Sequence, residues 1–157
     1  MVRSTLLLAC CLAACLVFAQ DPKKTARILT GDAKGPAANN PVCKLFTKAE
    51  AAKYIGKPVG EISNAAMGSG CQWPAQDDAG DMMVQIVPKS YHEEPKSAKG
   101  YKKLPDVGTN GFVSPFMDGW KAAAIRGEDS INVTLAGPNA NEKTTTELLK
   151  ETLLRKK

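Results

Sequence analysis

Histidine is almost missing, with His92 the one example in 157 residues. That excludes most metal centres built on imidazole ligands and leaves any nucleophile-histidine mechanism hanging on a single position. Aromatic residues are scarce at 6%, and no apolar run beyond the first twenty residues approaches a membrane span. Charge of one sign is also missing: twenty-one Lys and Arg against sixteen Asp and Glu leave a formal +5, too dilute to name a partner. What is present, 43% hydrophobic and 24% charged residues, describes one globular domain. It rules out collagen-like, wholly disordered and polytopic membrane chains.

The first twenty residues read as an export signal, because Arg3 supplies a basic start and residues 4–18 are uncharged Leu, Ala, Cys and Val in the main. Two cuts are open. Val17, Phe18 and Ala19 before Gln20 suit an ordinary signal peptidase, giving a signal of residues 1–19. Leu12, Ala13, Ala14 and Cys15 resemble the lipobox at which a lipoprotein is cut and its cysteine acylated, although the apolar run continues past Cys15. Either cut places the domain outside the cytoplasm, in the periplasm or extracellular space or anchored to a membrane by a lipid on Cys15. Residues 20–40 carry few large aliphatics, Ile28 and Leu29, in no helical or strand period, and read as a flexible tether. A single domain over residues 41–157 follows.

With Cys10, Cys11 and Cys15 in the signal, only Cys43 and Cys71 remain in the folded part. Two cysteines in an oxidising compartment are expected to pair, and closing the loop between them is worth about 3.5 kcal/mol in the chain-entropy model. A metal site would need further Cys or His ligands, and a redox pair would want Cys-x-x-Cys.

Thr47 with Glu50 predicts a capping box, followed by helix formers through Ile55, a left-handed cap at Gly56 and a stop at Pro58. Strands are expected over residues 59–66, 70–74, 82–87 and 111–117, with the apolar 82–87 central in its sheet. A hairpin over residues 120–125 and 130–136 turns at Gly127, its alternating Ile131, Val133 and Leu135 marking one wet face. Residues 88–105 hold five Lys and three Pro and read as a broken, exposed helix or long loop. A last helix, capped by Asn141 or Thr144, turns Leu148, Leu149 and Leu153 inward, with Thr152 at the margin. There is no internal repeat. The order predicts an α+β fold with helices on one face of an antiparallel sheet.

Cys43 with Leu45, Phe46 and a capped Ala-rich helix, Gly56 with Pro58 and Val59, and Cys71 two residues before Trp73 resemble the opening of small bacterial lipoprotein domains grouped in families of unknown function. Leu104, Pro105, Val107 and Gly108 ahead of a Phe112 strand, the turn at Gly127 and the closing basic helix extend the resemblance over residues 41–157. It implies an exported domain with a Cys43 to Cys71 bridge and transfers no activity.

Candidate chemistry is thin. His92 beside Glu93 and Glu94 offers a base and an orienter, but neighbours in sequence point apart and a solvated loop is the simpler reading. Asp77, Asp78 and Asp81 miss the calcium-loop pattern and suit a polar turn. Ser69 between Gly68 and Gly70 lacks the strand-to-helix setting of a nucleophile elbow. The sequon at Asn132 and Thr134 falls inside an expected strand. Met67, Met82, Met83, Phe116, Met117 and Trp120 could line an apolar groove, though Met and aromatics in strands usually fill cores. The distinctive surface is basic: Lys89, Lys96, Lys99, Lys102 and Lys103, close in sequence to Tyr91 and Tyr101. Its solvated-excursion reading competes with contact between Lys96, Lys99, Lys102 and Lys103 and an acidic protein, an anionic envelope polymer or lipid headgroups. No catalytic residue, metal ligand, cofactor or nucleic-acid partner is expected, and membrane contact only through a lipid on Cys15. The resulting expectation is a noncatalytic binding or accessory domain of the bacterial cell envelope, against a small extracytoplasmic hydrolase or a lipid-tethered spacer.

Overall fold

Helix α1, Lys48–Ile55, forms where the sequence supplies both of its ends. In the computed structural model, which describes residues 36–156, the Thr47 hydroxyl accepts from the Glu50 amide at 3.2 Å. The Glu50 carboxylate accepts from the Thr47 amide at 2.8 Å. Gly56 ends the helix at φ +85°, a left-handed conformation that favours glycine, and a Cβ there would stand 2.8 Å from the Asn139 side chain. Helix α2, Glu142–Arg155, starts at Asn141, whose side-chain oxygen accepts from the Thr144 amide at 2.9 Å. The signal-like residues 1–19, Cys15 included, and most of the expected tether lie outside the described residues. The last residues of that tether are part of the fold. Residues Ala37–Asn39 form a 3-10 turn, and Asn40 is buried, its amide donating to Asn64 Oδ1 at 2.8 Å and Gly70 O at 2.9 Å.

Seven strands follow: β1 Ser63–Ala65, β2 Gly70–Pro74, β3 Asp81–Pro88, β4 Lys102–Lys103, β5 Thr109–Phe116, β6 Gly119–Arg126 and β7 Asp129–Ala136. They make one antiparallel sheet in the order β1-β2-β3-β7-β6-β5-β4, in which β3 is an interior strand paired on both sides, next to β7 at the middle. The strand expected over 59–66 is shorter than its pattern. Val59 bridges Ala75, the register then slips by one, and pairing resumes only at Ser63 with Gln72. Pro74 stands at the break and has no N–H to offer the ladder. The segment 88–105 is a loop with a single 3-10 turn, Lys89–Tyr91, and the short β4, not a helix.

Paired residues share a face, and the register therefore sorts the sheet into two surfaces. Trp73, Met82, Leu135 and Trp120 form one row of the inner surface; Cys71, Val84, Val133, Ala122 and Val113 form the next. Both helices cover this side, adding Ala51, Ile55, Leu148 and Leu149 to a single core. The Trp73 ring is fully buried, meets Phe46 edge-on at 6.0 Å and donates its N–H to Phe46 O at 3.3 Å. The small Ala122 and Ala124 on β6, both fully buried, leave room for α2 where it crosses. Thr152 is completely buried, a stronger member of the helix stripe than its place at the margin suggests, because its hydroxyl donates to Leu148 O at 2.7 Å within the helix.

Two ties close the assembly. The Cys43–Cys71 disulfide joins the turn Val42–Lys44 to β2. Arg155, in the last turn of α2, donates to Leu45 O at 2.5 Å and pairs with Glu50 at 2.7 Å and Glu151 at 2.8 Å. Its guanidinium also stands 4.4 Å from the centre of the Phe46 ring. These contacts hold Glu50 down to about 2, the Arg155 hydrogen bond being the main cause. No helix among the described residues is long and apolar enough to cross a membrane.

Candidate functional site

Among the described residues, no helix covers the outer surface of the sheet. One row runs Gln72, Met83, Thr134, Lys121 and Ser114, and the next Gln85, Asn132, Ala123 and Phe112. Over β5 and β6 this surface is roofed by the segment that follows β3; over β2 and β3 its side chains stay half-exposed.

Three contacts hold the roof down. His92, expected in a solvated loop, is half-buried against the sheet: Nδ1 lies 2.9 Å from Ser130 Oγ and Nε2 3.1 Å from Asn110 O. A carbonyl only accepts, so Nε2 carries a hydrogen, and in the neutral ring Nδ1 accepts the Ser130 hydroxyl proton. Ser130 is fully buried, out of reach of any substrate, so this histidine-serine pair fastens the loop. Phe112, apolar but outside the helix-side core, is buried between the rings of His92 and Tyr101 at 5.8 and 5.9 Å. The Tyr101 hydroxyl donates to Glu94 at 2.6 Å, which pushes the phenol up to about 12 and lowers the Glu94 carboxyl.

Anchored in this way, the loop turns its lysines outward, but they are not equivalent. Lys89 pairs with Glu128 at 2.9 Å and Lys102 with Glu142 at 2.6 Å, while Lys96 lies 3.9 Å from Glu94. Lys99 and Lys103 are exposed and have no ion pair among the described residues. Two of the five cations in the stretch are therefore neutralised at close range by carboxylates distant in sequence, which charge counting along the chain could not show.

Between this loop and the β5–β6 hairpin lies a cleft of about 280 Å³. Pro95, Ala98, Pro115 and Phe116 give it apolar walls, and Glu93 and Lys121 give it opposite charges. Lys121 is half-buried on the outer row, its ammonium 6.0 Å from the centre of the Phe116 ring. Burial lowers its pKa and the nearby Glu93 partly opposes the shift. Sequence reading singled out Glu93 only as a neighbour of His92 and passed over Lys121 altogether. A lysine directly before three consecutive alanines in an expected strand was the available signal.

The other candidates disperse. Asp77 pairs with Lys57 at 2.5 Å and accepts from the Ala79 amide, so it belongs to the turn. Asp78 and Asp81 instead share a shallow recess with Asp118 of the β5–β6 turn. Asp81 accepts from Gln72 at 3.0 Å, and burial, then Asp118, raises its pKa. No group of His, Cys, Asp and Glu suited to a metal ion occurs among the described residues. Ser69 donates to Ala66 O at 2.7 Å and serves its own turn. Asn132 is half-buried in β7 and donates to Ser130 Oγ at 3.2 Å. The methionines and aromatics form no single groove: Met82 and Trp120 face inward, Met83 outward, and Met67 and Met117 sit on turns at opposite ends of the strands. Comparison with known protein families and with curated proteins returns no match.

Proposed function

We propose that the mature chain is a noncatalytic binding domain of the bacterial cell envelope that meets an anionic partner through the loop on the outer surface of its sheet. The observation that carries this reading is the pairing of a fixed scaffold with exposed charge: His92 and Tyr101 hold the loop against the strands, while Lys99 and Lys103 stay exposed and without an ion pair among the described residues. A positioned cation loses less freedom on binding than one on a mobile chain. Lys96 adds to the patch, and Lys102 contributes less because Glu142 already neutralises it. Export is supported by the signal-like first residues and by the Cys43–Cys71 bond, which suits an oxidising compartment. The resemblance to small exported lipoprotein domains points the same way.

The test is salt-dependent capture from envelope extract with the protein beginning at Gln20, beside a variant carrying Lys96→Glu, Lys99→Glu and Lys103→Glu. Retention of an acidic protein, polymer or lipid should fall as ionic strength rises and should fall further with the variant. A partner held equally by both proteins at every salt concentration would overturn the reading. Intact mass of the exported protein separates a chain starting at Gln20 from one starting at an acylated Cys15.

A further inference from the structure

The cleft beneath the loop is separate from the lysine surface and makes a different demand on a ligand. Glu93 and Lys121 both line it, and Lys121 feels the charge of Glu93, yet they do not form an ion pair within 4.0 Å. Neither side chain has a hydrogen-bond partner among the described residues. Elsewhere in the fold opposite charges close up, as Lys89 does on Glu128 and Lys102 on Glu142. Here they do not. Lys121 rises from a strand paired on both sides, and Glu93 follows His92, which is pinned to Ser130 and Asn110. Glu94, the other carboxylate on the cleft wall, is turned to the Tyr101 hydroxyl and is already engaged.

We propose that this cleft binds a free α-amino acid, its carboxylate on the Lys121 ammonium, its ammonium on Glu93 and its apolar side chain between Pro95, Ala98 and the exposed Phe116 ring. A ligand carrying both charges satisfies both walls, whereas a simple anion meets Glu93 as a repulsion and a simple amine meets Lys121 in the same way. Partial burial of Lys121 strengthens its contact with the carboxylate over the value in open water. The volume of about 280 Å³ suits one amino acid and is below the usual range of sites for larger organic ligands. A larger recess of about 510 Å³ near the end of α2 lacks this character, because its Arg155 and Lys156 are already paired with Glu50, Glu151 and Asp129.

The experiment is a titration of the mature protein followed by backbone amide NMR, with L-leucine, 4-methylpentanoate and 3-methylbutylamine as probes. The three share an apolar body and differ only in carrying both charges, the carboxylate alone or the ammonium alone. L-leucine should give saturable shifts at Ala98, Phe116 and Lys121, and each single-charge analogue should bind at least about tenfold more weakly. Lys121→Met and Glu93→Gln should each weaken leucine by a similar factor; Glu93 is exposed, so its variant keeps the fold in any case. Lys99→Glu, which reverses an exposed lysine of the basic surface that does not line the cleft, should bind leucine as the parent does, which keeps failure here distinct from failure of the basic surface. Absence of saturable shifts, equal binding of 4-methylpentanoate, or undiminished leucine binding by Glu93→Gln would overturn the proposal.

Discussion

The two surfaces of the sheet are built on opposite principles. The inner one is dry, closed by two helices around Trp73, Met82, Val133 and Leu148, with shape fitted closely enough that β6 uses alanine where α2 crosses. The outer one is a lattice of Gln, Asn, Thr and Lys, roofed on one side by a loop that hydrogen bonds and two aromatic contacts hold in place. Apolar burial has no direction and yields a rigid support, whereas directional polar contacts can position charges while leaving them open to solvent. Stability should therefore reside on the first surface and recognition on the second.

Substitutions on the inner surface should have the largest effects. Trp73→Ala removes the largest fully buried side chain and its hydrogen bond to Phe46, and should cost about 3 to 5 kcal/mol in denaturant unfolding. Ala122→Leu tests the close crossing of α2 from the other direction; overpacking should cost about 1 to 3 kcal/mol.

The tie between the helices should show itself in acid. Folded Glu50 titrates at about 2 against an ordinary 4.5, so its contribution is fully present above the unfolded value and is lost as pH falls from about 4.5 through about 2. Because this carboxylate is about a third exposed, screening limits the effect to about 1 kcal/mol. Arg155→Met should lower stability at neutral pH and flatten that part of the stability-pH curve, as urea midpoints across pH 2 to 6 would report. A profile with the same slope in both proteins would remove Arg155 from the account.

The smallest effect has the opposite sign. Thr145 is fully buried in α2, and its hydroxyl has no hydrogen-bond partner among the described residues. Thr145→Val exchanges that hydroxyl for a methyl of similar size and should raise stability by about 1 kcal/mol, measured as a higher unfolding midpoint at unchanged slope.

Much of the inner architecture is legible along the chain because its signals are local. Thr47 and Glu50 cap a helix three residues apart, Gly56 ends it, Gly127 turns a hairpin, and alternation of Ile131, Val133 and Leu135 marks the buried side of β7. The outer surface depends on partners far apart in sequence. His92 meets Ser130 across 38 positions and Lys102 meets Glu142 across 40, and no periodicity records either pair. Phe112 marks an expected strand, and it is buried, but beneath the loop and not beneath a helix. The edge strand β1 is cut short by a proline on its neighbour, a property of the pair that neither segment shows alone.

Hydrogen exchange in His92→Ala tests the division between the two surfaces most directly. Removing the imidazole takes away the contacts to Ser130 and Asn110 without touching the helix-side core, so amides of residues 92–103 should exchange about tenfold faster or more. Amides of β2, β3 and β7 should keep their protection. Equal loss of protection in the loop and in those strands would show that the roof and the core form one cooperative unit, and would contradict the account.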